Sequence, residues 1–116
     1  MAKTLCKIAG FIFLIVGLAG FAAPNLLGFH LTPIHNIVHI LLGAILLYGS
    51  MSTAAAIQAT RGVGAVLLLL GILGFISADG FGLVPLGGND IWLHLATGAI
   101  LLATGFMATD EAAATV

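Results

Sequence analysis

The chain has 116 residues, 61% of them hydrophobic and 6% charged, with three Lys or Arg against four Asp or Glu and a formal net charge of −1. Soluble domains carry about a quarter charged residues, so a water-soluble monomer is excluded, and three basic side chains cannot neutralise a phosphate backbone, which excludes nucleic-acid binding. No Asp, Glu, Lys or Arg occurs in residues 8–60 or 91–109, so most of this chain, of mean hydropathy +1.26, belongs in a lipid bilayer.

In chain order, the first apolar stretch is 8–23, preceded by Lys3, Cys6 and Lys7. One cysteine allows neither an intramolecular disulfide nor a CxxC metal site; Cys6 reads as packing, with acylation as its juxtamembrane alternative. Basic residues ahead of an apolar run also suit a cleaved leader, but this stretch recurs later in the chain, which favours a retained span. His30 falls in the following loop. Thr32-Pro33 then opens the stretch 33–50, with Thr as N-cap and Pro at the first helical position. A loop carrying Arg61 leads to the stretch 63–78, whose run Val66-Leu67-Leu68-Leu69-Leu70 lacks the alternation of a β-barrel strand. Asp79-Gly80 reads as a turn. Gly88 or Asn89 caps the last stretch, 91–108, and Asp110-Glu111 with the Ala-rich tail reads as a frayed end.

These four stretches of 16 to 18 residues sit at the short end of the roughly 17–25 needed to span a bilayer as helices. The expected fold is all-α: an integral membrane four-helix bundle. Lys3, Lys7 and Arg61 all fall on one side of it, so the positive-inside rule places both termini in the cytoplasm. Tyr48 at an inner helix end and Trp92 at an outer one suit the interfacial aromatic belts.

The chain also repeats itself. Gly10, Gly17, Gly20 and Phe21 recur with the same spacing as Gly64, Gly71, Gly74 and Phe75. His39 and Gly43-Ala44-Ile45-Leu46-Leu47 recur at almost the same offset as His94 and Gly98-Ala99-Ile100-Leu101-Leu102. Two helical hairpin repeats of about 8–50 and 63–108 follow, parallel in orientation and related by an axis along the membrane normal. Gly10, Gly17, Gly20, Gly43, Gly64, Gly71, Gly74 and Gly98 then serve close helix packing in lipid.

Three of the four histidines and one acid gather at the outer ends of spans two and four. His35-Asn36-Ile37-Val38-His39 places two imidazoles four residues apart on one helix face, and Asp90-Ile91-Trp92-Leu93-His94 repeats the spacing with Asp90 in place of His35. Three uses fit His35, His39, Asp90 and His94. One is a structural clasp, in which polar groups hydrogen-bond across helices and Asp90 serves a helix start. A second is a divalent metal site, whose three imidazoles and one carboxylate suit Zn, Cu or Fe. A third is haem b between His39 and His94, with Gly43 and Gly98 leaving room, opposed by the lack of outer-side Lys or Arg for the propionates.

The order of Asn25-Leu26-Leu27-Gly28, of His35-Asn36-Ile37-Val38-His39 followed by Gly43, and of Leu83-Val84-Pro85-Leu86-Gly87-Gly88-Asn89-Asp90 leading to Trp92-Leu93-His94 resembles a family of small bacterial four-span membrane proteins classed as a domain of unknown function. The resemblance covers about residues 8–108 and implies topology and a prokaryotic cytoplasmic membrane location, not chemistry. The residues carry no nucleophile with a positioned base, so catalysis is not expected. Nor is transport through one copy, because no span centre carries a charge. The expected role is that of a non-enzymatic structural or accessory membrane protein, packing with its own copies or with other membrane subunits through its glycine faces. The alternative is a metal- or haem-binding protein at the outer face.

Overall fold

The computed structural model describes residues 2–23, 32–77, 79–82, 87 and 89–115, with side chains at these positions apart from 81, 89 and 108–115. Four helices succeed one another: α1 (Ala2–Ala22), α2 (Pro33–Gly49), α3 (Thr53–Ile76) and α4 (Asn89–Thr115), with a short 3-10 helix at Gly80–Gly82 ahead of α4. Among the described residues there is no strand. α1, α3 and the segment Asp90–Met107 of α4 are long and apolar enough to cross a membrane. The 17 residues of α2 reach about 25 Å at 1.5 Å per residue, short of a hydrocarbon core of about 30 Å.

The helix ends follow local chemistry. Thr32 is extended, and its side chain accepts the His35 N–H at 3.3 Å, with Pro33 next in the chain. At the far end of α2 the Ser50 N–H donates to the Leu46 carbonyl at 2.9 Å and its hydroxyl to the Leu47 carbonyl at 2.6 Å. Ser52 then caps α3 by accepting the Ala55 N–H at 3.2 Å, so three residues reverse the chain. After α3, the Ser77 hydroxyl donates to Asp79 Oδ1 at 2.6 Å and the Gly80 N–H to the Ser77 carbonyl at 3.0 Å. The turn expected at Asp79-Gly80 is there, with Gly80 at φ 60°, a conformation costly for residues with a Cβ. The caps expected at Gly88 and the Asn89 side chain, together with His30 and Asn25-Leu26-Leu27-Gly28, lie outside the described residues.

Two expectations are corrected. Arg61 is helical and not in a loop, because α3 begins at Thr53, well before the apolar stretch. Gln58 and Arg61 lower the hydropathy of that first segment, but its alanines are the best helix formers, and Ala56, Ile57, Ala59 and Thr60 are buried. At the other end, α4 continues through Asp110-Glu111 to Thr115; the tail is rich in Ala, with a Glu, and so carries little propensity cost in a helix.

The bundle is built for lipid. Phe11, Ile15, Leu41, Leu69, Ile72 and Ile100 are half or more exposed, whereas Ala2, Cys6, Ala56 and Thr60 are fully buried. Cys6 Sγ approaches the Ala56 carbonyl at 3.6 Å, which ties α1 to the first turns of α3. In lipid no hydrophobic effect draws helices together, so close packing of small residues must do so.

α1 packs chiefly on α2, and α3 on α4. A Cβ on Gly43 would lie 2.8 Å from the Gly10 carbonyl oxygen and 2.8 Å from the Leu14 nitrogen. One on Gly98 would lie 2.9 Å from the Gly64 oxygen and 2.7 Å from the Leu68 nitrogen. Gly17 faces Ile40, and Gly71 faces Leu95. Each member of the second set lies 54 or 55 residues after a member of the first. All eight glycines singled out in the sequence are buried. Gly20 is closed off by the Asn36 side chain, which a Cβ there would overlap.

Candidate metal centre

The Thr32 cap fixes where α2 starts and so places His35 in its first turn and His39 one turn deeper. Four residues apart on one face, their ring centroids are 4.3 Å apart, the planes tilted by 45°. α4 brings His94 to the same place: its ring lies 5.9 Å from that of His35, edge to face. On the α1 side Phe13 closes over His39, centroid to centroid 5.6 Å. His35, His39 and His94 are 3%, 5% and 3% exposed.

One ring nitrogen of each imidazole could serve as a ligand, and the three nitrogens all lie within 4.8 Å of one another. Zn–N bonds of about 2.0–2.1 Å place two nitrogens of a tetrahedral site about 3.4 Å apart. The three nitrogens thus lie within about 1.4 Å of that spacing. The Nδ1 atoms of His39 and His94 are buried and have no hydrogen-bond partner in the protein. A buried, unpaired polar atom costs about 1–3 kcal/mol, so each of these two calls for a group that would satisfy it.

Asp90 is where the spacing put it, in the first turn of α4 and 3% exposed. It is not a member of the close ligand group, which among the described residues consists of the three histidines. An acid in the first turn of a helix is favoured by the helix dipole, and metal-bound histidines usually donate their other ring N–H to a carboxylate, a backbone carbonyl or water.

Two features escaped sequence reading. Asn36 is 1% exposed and packs over Gly20; an amide one residue from a helical histidine, inside an apolar stretch, was the available signal. The second is an apolar crevice of about 260 Å³ reaching His39 and His94 from between α1 and α4. No local pattern reveals it, because four residues of α1 contribute to it. At the opposite end of the bundle, Arg61 Nε donates to the Gly105 carbonyl at 3.1 Å and the guanidinium sits 4.4 Å over the Phe106 ring. Tyr48 is 75% exposed; Trp92, 65% exposed, stacks edge-on against Phe75 at 5.8 Å.

The family model that matches this chain, over residues 3–107, is described as a domain of unknown function (DUF4383). No curated protein matches it, and no solved structure does.

Proposed function

We infer that this chain, which belongs to that family of unknown function, is a small membrane protein that holds one divalent transition metal between α2 and α4. The ligands are His35, His39 and His94, with Asp90 beside them. One observation carries the reading: three buried imidazoles converge with ligand nitrogens within 4.8 Å, and two of them keep an Nδ1 with no partner. Zinc, copper and iron all accept imidazole. Bare metal suits the site better than haem b: the adjoining crevice has no Lys or Arg in its wall to meet propionates.

The role is binding, not catalysis. Lys3, Lys7 and Arg61 at one end of the bundle support a cytoplasmic location of both termini in a prokaryotic inner membrane, with the metal near the outer face. The matched glycine crossings support two hairpin repeats. The glycine faces are used up inside the chain, so assembly with other copies or subunits would engage the exposed leucine, isoleucine and phenylalanine faces instead.

A second reading, the structural clasp of an accessory subunit, is favoured by the ring contacts of Phe13 and His35 with His39, which already pack as a core does. Elemental mass spectrometry of the protein purified from its membranes in mild detergent, without chelator, separates the two. The metal reading expects one equivalent per chain, lost on His39→Ala and on His94→Ala; trace metal in the unaltered protein leaves the clasp.

A further inference from the structure

The grooves on the two sides of the bundle occupy repeat-related positions but are filled differently. Leu42 of α2 and Val63 of α3 are 8% and 3% exposed and belong to one buried apolar cluster. The counterpart of Leu42 in the second repeat is Thr97, and that of Val63 in the first is Ala9. Both replacements shorten the side chain or make it polar. α1 accordingly touches α4 less than α2 touches α3, and the crevice of about 260 Å³ is what remains. Its floor is His39 and His94; Ala9, Phe13 and Thr97 stand in its walls. Ile12 and Leu93, at its border, are 56% and 45% exposed, so it opens on the lipid-facing surface.

We propose that this crevice binds a hydroxylated aromatic ring dissolved in the lipid phase, a phenol or quinol, with the ring against Phe13 and the hydroxyl toward His39 and His94. Binding pockets for small molecules are mostly apolar, with a few polar groups that fix orientation; here the walls are apolar and the polar side chains are two imidazoles and Thr97. An acyl chain has the right polarity for the walls but gives nothing to imidazole nitrogens that lack partners. A charged head group would find no counter-charge. A neutral ring hydroxyl donates one hydrogen bond to an imidazole nitrogen after rotation of that ring, and Phe13 offers an aromatic face. The inference goes beyond the metal reading and does not need it: with metal bound, the same oxygen takes the coordination position that three imidazoles leave open.

The test is photolabelling of the full chain in lipid nanodiscs with a phenol carrying an alkyl diazirine, competed by para-butylphenol or by butylbenzene. Saturable labelling of residues 9–16 and 93–97 is expected. Para-butylphenol should compete about tenfold better than butylbenzene, the worth of one hydrogen bond. The double variant Ala9→Val/Thr97→Leu, which introduces the side chains of Val63 and Leu42 at their counterpart positions, should lose the labelling and keep the melting temperature. Equal competition by butylbenzene assigns the crevice to any apolar guest and overturns the proposal, as does labelling that does not saturate or that survives in the double variant. Cobalt binding on the same preparations separates the two readings. Cobalt bound without saturable labelling overturns the crevice proposal alone; labelling without cobalt overturns the metal reading alone.

Discussion

Gly43 and Gly10 meet backbone to backbone: a Cβ on Gly43 would stand 2.8 Å from the Gly10 carbonyl oxygen, and at the crossing of α3 and α4 Gly98 stands in the same relation to Gly64 at 2.9 Å. Contact with backbone cannot be relieved by a side-chain rotation, so a methyl group at either crossing must push two helices apart.

Gly43→Ala and Gly98→Ala are therefore each expected to destabilise the bundle by about 1–3 kcal/mol, the usual cost of overpacking. Gly62, also helical, would have nothing within 4 Å of its Cβ, and Gly62→Ala should stabilise by about 0.5–1 kcal/mol through helix propensity alone. Thermal or denaturant unfolding in one detergent measures all three; equal effects at positions 43 and 62 would contradict the crossing.

Asp90 and His94 should part company in a metal titration. His94→Ala removes a ligand and is expected to abolish stoichiometric cobalt or zinc binding. Asp90→Asn keeps the three imidazoles and should weaken affinity by about 10–100-fold, as outer-shell changes do, while one equivalent still binds at saturation. If Asp90→Asn lost metal as completely as His94→Ala, the carboxylate would be a ligand after all.

The stabilisation that metal confers should shrink as the pH is lowered. A ligating imidazole must be neutral, so protons compete with metal at all three histidines, and affinity falls with falling pH. At a free metal concentration of about 100 times the dissociation constant, binding to the folded state adds about 2.7 kcal/mol. The gap between melting temperatures with and without zinc is thus expected to be widest above neutrality and to close in mild acid. A gap independent of pH would mean that the metal sits on carboxylates or backbone.

Much of this architecture was legible one residue at a time. The uncharged run 8–60 speaks for lipid and Thr32-Pro33 for a helix start; each is a local property. Hydropathy failed where composition and structure diverge. The segment Thr53–Gly62 carries Gln58 and Arg61 yet is helical, because Ala-rich sequence and the buried contact of Ala56 with Cys6 outweigh two polar side chains, of which Gln58 is exposed and Arg61 is held by the Gly105 carbonyl and the Phe106 ring.

The candidate site divides along the same line. Spacing alone placed His35 and His39 on one face and gave His94 and Asp90 an equal depth on another helix, since helical periodicity is written in sequence separation. Only the tertiary structure decided that a nitrogen of each of the three imidazoles lies within 4.8 Å of the others while Asp90 stays outside that group, that the glycine faces are spent within the chain, and that Ala9 and Thr97 leave open on one side a groove that Val63 and Leu42 fill on the other. Those outcomes depend on how far apart neighbouring helices settle, and that distance is set by side chains from several helices at once.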